Sequence, residues 1–168
     1  SKAITDEVTN TNGRTNLYVN LEAEIERFKR YRRPLSLLFC DLDDFKKIND
    51  TYGHIEGDGV LRSTAKIMKK MLRNTDSVYR YGGEEFACLL PETELDSAWL
   101  VAERMRKQIF DTPITIKEPP ADINVTVSIG VSQFGKSGIA DVDSFISASD
   151  EMMYEAKKQG KNCVQVYK

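Results

Sequence analysis

At 168 residues, 40% of them hydrophobic and 30% charged, the chain is long enough to bury a core and short enough to form one domain. Lys+Arg 24 against Asp+Glu 26 leaves a formal net charge of -2, which excludes a global basic field for non-specific nucleic-acid binding and makes any phosphate chemistry local. No apolar run approaches the roughly 20 residues of a membrane span, and the N-terminus lacks a charged-then-apolar signal pattern.

Residues 1–15 are polar, rich in Thr and Asn, and read as an irregular lead-in. Leu17, Leu21, Ile25 and Phe28 then recur at helical spacing, predicting an amphipathic helix from about Asn16 to Tyr31, with Pro34 beyond its end. The continuous apolar run Leu35–Cys40 has the length of a buried strand. It delivers Asp41, Asp43 and Asp44 to one place, and Asp41 and Asp43 share a direction if the extended geometry continues. Such acids invite a cation. A helix-capping role is expected for Asp43 or Asp44 and leaves Asp41 unexplained. Thr51–Gly59 reads as a loop holding the only histidine, His54, which on its own is more simply a structural hydrogen-bonding group. Leu61, Ala65, Met68 and Leu72 stripe the next helix. It is expected to stop near Arg73 and Asn74, with Asn74 as a left-handed cap and Arg73 favourable at the negative end of the dipole.

Ser77–Tyr79 and Phe86–Leu90 are apolar runs around Arg80-Tyr81-Gly82-Gly83-Glu84-Glu85, the pattern of a β-hairpin turned by a glycine pair. Paired glycines let phosphates approach a backbone and adjacent acids hold a hard cation, although an ordinary turn with solvated acids has the same residues. Leu95, Ala98, Trp99, Ala102, Met105 and Ile109 define a further helix whose stripe, Trp99 included, reads as core. Ile114–Ile116 and Ile123–Val131 read as strands joined through Pro119 and Pro120, the second alternating strictly. A last helix carries Val142, Phe145, Ile146, Met152, Met153 and Ala156, with Gly160 at its C-terminal cap and a closing strand over Asn162–Tyr167. Cys40, Cys88 and Cys163 fall in predicted strands without CxxC spacing, which reads as reduced buried thiols.

These elements predict an α/β (α+β) fold: a central, mostly antiparallel five- to six-stranded sheet flanked by helices. If the strand at 35–40 pairs beside the hairpin, Asp41 and Glu84 converge at one edge. Mg²⁺ takes only one or two protein carboxylates and leaves substrate phosphates to complete its octahedron, so that edge suits phosphoryl chemistry.

Taken together, the motifs resemble the GGDEF-domain diguanylate cyclases, in the Glu-Glu form, over about Asp6 to Val166. Gly82-Gly83-Glu84-Glu85-Phe86 is similar to the signature loop, and Asp41-Leu42-Asp43-Asp44-Phe45-Lys46 to the metal-binding strand end. Asn49, Gly53-His54 and Gly57-Asp58 resemble the guanine-binding segment, and Ala156-Lys157 through Gly160-Lys161-Asn162 the phosphate-contacting stretch. The resemblance implies a palm-like nucleotidyl cyclase fold in bacterial signalling. Two GTP molecules, one on each subunit of a homodimer, would be condensed to cyclic di-(3′→5′)-GMP with release of two pyrophosphates. Asp41, the Leu42 carbonyl and Glu84 would hold Mg²⁺ or Mn²⁺, with Glu85 contributing. Glu84 would also be a candidate acceptor of the 3′-hydroxyl proton, a role that a metal-bound hydroxide could equally fill. Lys46 would stabilise charge on the transferring phosphates. Phe45, Asn49, His54 and Asp58 would bind substrate, and Lys157 and Lys161 its phosphates. Arg73 and Asp76, helped by Arg104, would form an inhibitory product site, and an arginine fork suits the guanine O6/N7 edge.

The resemblance implies a lead-in at 1–15 from a missing regulatory region and a catalytic domain at 16–168. The family opening Asp-x-Leu-Thr-Gly-Leu-x-Asn-Arg is replaced here by Asp6-Glu7-Val8-Thr9-Asn10-Thr11-Asn12-Gly13-Arg14, departing at Val8, Asn10, Thr11 and Gly13. The expected partner is therefore an upstream sensory domain. The expected setting is cytoplasmic, with no nucleic-acid polymer and no membrane contact by this domain, any tether belonging to the missing region. A non-catalytic GTP- or cyclic di-GMP-binding module of the same family is the alternative. A different palm-like nucleotidyl transferase is the more distant one, disfavoured by Asn49 and Asp58.

Overall fold

Leu35–Leu42 (β3) is the strand about which the sheet is built. In the computed structural model, which describes residues 5–168, seven of its eight residues are fully buried or nearly so on both faces, and Asp41 alone is partly exposed. Burial on two faces is why the run reads as continuously apolar. Its Leu38, Cys40 and Leu42 enter one core cluster, while Leu35, Leu37 and Phe39 enter the other.

The chain order around it is β1 (Thr5–Asp6), β2 (Thr11–Asn12), α1 (Arg14–Tyr31), β3, α2 (Phe45–Tyr52), α3 (His54–Met71), β4 (Ser77–Gly82) and β5 (Glu85–Pro91). Then come α4 (Leu95–Asp111), β6 (Ile114–Ile116), β7 (Ala121–Ile123), β8 (Val127–Gln133), α5 (Val142–Lys158) and β9 (Val164–Val166). The main sheet runs β1-β2-β4-β5-β3-β8-β9, with only β2–β4 and β8–β9 parallel; β6 and β7 form a separate ribbon. Side chains of α1 and α5 cover one face, and those of α2, α3 and α4 the other.

The sheet has seven strands where five or six were expected, because residues 5–12 are not irregular. They form two short strands, and Asp6 is the reason they hold: it accepts from Thr9 N at 2.9 Å and Thr9 Oγ1 at 2.6 Å, and pairs with Arg80 at 3.2 Å. Burial opposes the charge on Asp6, but the bonds from Thr9 and Arg80 outweigh it and keep the carboxyl below its usual range. Residues 1–4 of the expected lead-in lie outside the described residues.

Five local expectations differ. Thr51–Gly59 is helical apart from Gly53, so His54 and Asp58 stand in the opening turns of α3. Its glycines misled, since Gly57 serves packing: a Cβ there would lie 1.8 Å from Asn49 Oδ1. Helix α3 ends at Met71, with Leu72 extended, and Asn74 takes no left-handed conformation. The run Ile123–Val131 breaks between β7 and β8. Trp99 is 38% exposed, one step off the buried stripe Ala98, Ala102, Met105 and Ile109. Cys40 and Cys88 are buried, but Cys163 is only half-buried and precedes β9.

What sets α5 over the sheet is Gly130 on β8. A Cβ at that position would lie 1.9 Å from Ser149 O and 2.3 Å from Met153 N, so the helix backbone lies directly on the strand. Ser128 and Ser132, also fully buried, keep that face of β8 low. The helix is started by Asp141, whose carboxylate accepts from Ser144 N at 2.8 Å in a capping box.

Candidate active site

Three segments distant in sequence meet at one end of β3. The β4–β5 hairpin pairs Gly82 with Glu85, so Gly83 and Glu84 make the turn; only Gly83 of the glycine pair has positive φ, 40°. Asp41 pairs with Glu85 across β3 and β5, and Leu42 N donates to Glu84 O at 3.2 Å. Arg80 pins the turn, with Nε and Nη2 donating to Gly83 O at 3.0 and 2.8 Å. Helix α5 supplies the third wall. The resulting cleft, about 450 Å³, is lined by Asp41, Leu42, Glu84, Glu85, Lys157 and Lys161 among others.

Charge in this cleft is dense. Burial raises the Asp41 carboxyl, and although Lys157 pulls it down, Glu84 and Asp43 push it up, so it ends above its usual range. Glu85 is likewise raised, by burial first and then by Asp41, Asp150 and Glu84, with Arg14 opposing. Burial alone raises Asp150. The ammonium of Lys157 sits 2.9 Å from Asp41 Oδ1 and 2.8 Å from Asp43 Oδ1; burial works against its charge, and the two carboxylates more than compensate.

Neither Asp43 nor Asp44 caps α2 with its side chain, contrary to expectation. Asp43, 3% exposed, accepts from Thr126 Oγ1 and Ser128 Oγ at 2.7 Å each, from Lys157 Nζ at 2.8 Å and from Asn162 N at 3.0 Å. These bonds overcome its burial and hold its carboxyl below the usual range. Asp44 occupies the N-cap position with φ 57° and instead pairs with Lys161 at 2.7 Å.

Of the other predicted residues, Phe45 and Lys46 also line the cleft; Phe45 is buried, while the Lys46 side chain is 93% exposed and lies 3.8 Å from Asp50. Asn49, His54 and Asp58 lie outside that lining, at the α2–α3 junction. Asn49 Oδ1 is buried and has no hydrogen-bond partner among the described residues. His54 is exposed and Asp58 half-buried. At the far end of β4, the Arg73 guanidinium forks onto Asp76 at 3.0 and 3.2 Å and also donates to Pro91 O and Thr93 Oγ1. The Asp76 side chain is 2% exposed and that of Arg73 56%. Arg104 is exposed on α4 and makes no hydrogen bond or ion pair with either among the described residues.

Two residues in or beside the cleft were not expected from the sequence. Tyr154, 64% exposed, lines the cleft, and Asp150 stands near Glu85. Asp150, Tyr154 and Lys157 follow i, i+4, i+7 spacing on α5, a polar stripe that was there to be read beside the apolar one.

The donor set suits a hard divalent cation, since the Asp41 carboxylate, the Leu42 carbonyl and the Glu84 carboxylate offer oxygen only. Among the described residues no three acidic, Cys or His side chains form a ready-made metal cage.

Residues 3–163 match the family described as diguanylate cyclase, GGDEF domain. The response regulator PleD of Caulobacter vibrioides is 39% identical over 162 residues, covering 96% of this chain; the chain spans 36% of that protein's length. Among solved structures, the GGDEF domain of DgcB from Caulobacter crescentus in complex with c-di-GMP is similar with a TM-score of 0.92 at 27% identity, covering 99% of this chain and 94% of that one. The active GGEEF domain of a diguanylate cyclase from Vibrio cholerae has a TM-score of 0.85 at 33% identity, covering 93% and 97%. With a family match over nearly its whole length and these likenesses behind it, the chain belongs to the diguanylate cyclase GGDEF-domain family.

Proposed function

We propose that this domain condenses two GTP into cyclic di-(3′→5′)-GMP with release of two pyrophosphates, acting as a homodimer with one nucleotide on each subunit. The observation that carries the reading is the convergence of Asp41 and Glu84 from two strand ends with Lys157 and Lys161 from the end of α5, in one open cleft. Acids and lysines lining one cleft suit a metal–polyphosphate group.

Asp41, the Leu42 carbonyl and Glu84 would hold Mg²⁺ or Mn²⁺, with Glu85 beside them. When bound, the metal lowers the barrier by neutralising charge on the transferring phosphates. Glu84, on a turn pinned by Arg80, is the acceptor for the 3′-hydroxyl proton. Lys46, Lys157 and Lys161 balance phosphate charge as point-like cations. Asn49, with its orphaned amide oxygen, supports recognition of a guanine edge together with Asp58, His54 and the Phe45 ring. Two nucleotides must meet for the reaction, and a homodimer would bring together two such clefts. Arg73 and Asp76, with Arg104 from α4, form the product site. An upstream sensory partner and a cytoplasmic setting complete the proposed reading.

The test is incubation with GTP and Mg²⁺ at high protein concentration, with dimerisation enforced by a fused coiled coil, and chromatography of the products. Cyclic di-GMP is expected. Its absence under enforced dimerisation would overturn the catalytic reading.

A further inference from the structure

The ammonium of Lys157 lies within hydrogen-bonding reach of four oxygens. Besides Asp41 Oδ1 at 2.9 Å and Asp43 Oδ1 at 2.8 Å, it faces the backbone carbonyls of Asp41 at 3.5 Å and Leu42 at 3.4 Å. Two carboxylates and two carbonyls around one cation form an all-oxygen cage of the kind a hard metal takes. The Asp41 carboxylate and the Leu42 carbonyl are also the donors assigned above to the divalent ion. An ammonium and a dication sharing those two groups would stand a few ångströms apart in a partly buried site, where their repulsion is large.

We propose that Lys157 is a built-in counter-cation that competes with the divalent metal for Asp41 and Leu42, and that metal loading turns its ammonium away from them toward the phosphates in the cleft. This inference rests on the metal-site reading above. The side chain has the means to make the move. It is 23% exposed, lines the cleft beside Lys161, and has a flexible four-carbon stem. Asp43 provides the pivot, because its carboxylate is locked by Thr126, Ser128 and Asn162 and remains a partner in either position. Metal loading and phosphate binding would thereby become one event: the cation that arrives releases the one that grips the polyphosphate. Without the metal, the same ammonium balances acids that otherwise repel one another.

Mn²⁺ titration of the 168-residue chain without nucleotide, followed by electron paramagnetic resonance, tests this on wild type, Lys157→Met and Glu84→Ala. Lys157→Met is expected to bind Mn²⁺ at least about tenfold more tightly than wild type, and Glu84→Ala more weakly. Unchanged or weaker binding by Lys157→Met, with Glu84→Ala still impaired, overturns the competition and leaves the metal site standing. Wild-type affinity in Glu84→Ala removes the metal site and the competition with it. Thermal melting provides a second readout. Metal-free Lys157→Met should melt below wild type and gain more from saturating Mn²⁺ than wild type does; an equal or smaller gain counts against the proposal. Lys157→Gln, neutral but still able to donate, should show the same tightening and covers the case in which the methionine variant fails to fold.

Discussion

Replacing Asp43 by alanine removes the acceptor of four hydrogen bonds and one member of a buried ion pair. Hydrogen bonds to charged groups contribute about 1.5–3 kcal/mol each, but bonds sharing one carboxylate are not additive. Lys157 can still turn to Asp41, and at 23% exposure it retains some access to water. The better guide is the cost of breaking a buried pair by deleting one partner, about 3–5 kcal/mol. For a chain of this length, each kcal/mol lowers Tm by about 2–4 °C, so Asp43→Ala should melt about 6–20 °C below wild type. Urea unfolding gives the free energy directly, and Asp43→Asn, which keeps an acceptor oxygen for Thr126 or Ser128, should lose less. A loss in Asp43→Ala below about 1 kcal/mol would refute the view of Asp43 as the tie between β8, α5 and the closing segment. The sign with pH follows from the lowered Asp43 carboxyl. Its contribution is complete above the unfolded value of about 3.9 and disappears as pH falls through the lower folded value. The Asp41 carboxyl, raised, acts in the opposite sense. The comparison of wild type with Asp43→Asn isolates Asp43, and the variant should lose less stability at acid pH.

Glu84→Ala should abolish cyclic di-GMP formation while leaving Tm within about 2 °C of wild type, since the side chain stands on a surface turn; retained turnover by chromatography would remove Glu84 from the reaction. Arg73→Ala should weaken binding of cyclic di-GMP at least about tenfold by calorimetry, because a lost charged fork costs well over 1.4 kcal/mol; equal binding would remove the product site. Gly130→Ala forces a methyl into the α5 backbone and should cost about 1–3 kcal/mol or more in urea unfolding, with GTP binding impaired by displacement of the lysines.

The sheet was legible where burial has one cause. The run Leu35–Cys40 reads as a strand covered on two faces and is one, and Asp41 and Glu84 meet as the pairing of β3 with the hairpin requires. Residues whose role depends on a distant partner were not legible. Asp43 looked like a cap because its four donors come from positions 126, 128, 157 and 162. Gly57 looked like a loop residue because its use is to make room for Asn49. Trp99 shares the helical spacing of the core stripe but lies at its margin, and a period of 3.6 does not say where a stripe ends. Residues 5–12 lack an apolar pattern because their strands are held by Asp6 and Thr9, a polar device that hydropathy does not register.

The bonds that Asp43 receives from Lys157 and Asn162 span 114 and 119 residues of chain. A ribosome has therefore made β3, the hairpin and most of the core before the groups that neutralise its acids exist. Until residues 157–162 emerge, the growing chain holds Asp41 and Asp43 together at a strand end without their lysine, so the carboxylate corner is among the last parts to become stable. Truncation before residue 157, or a stall there, would leave a sheet that is largely formed and a cleft that is not.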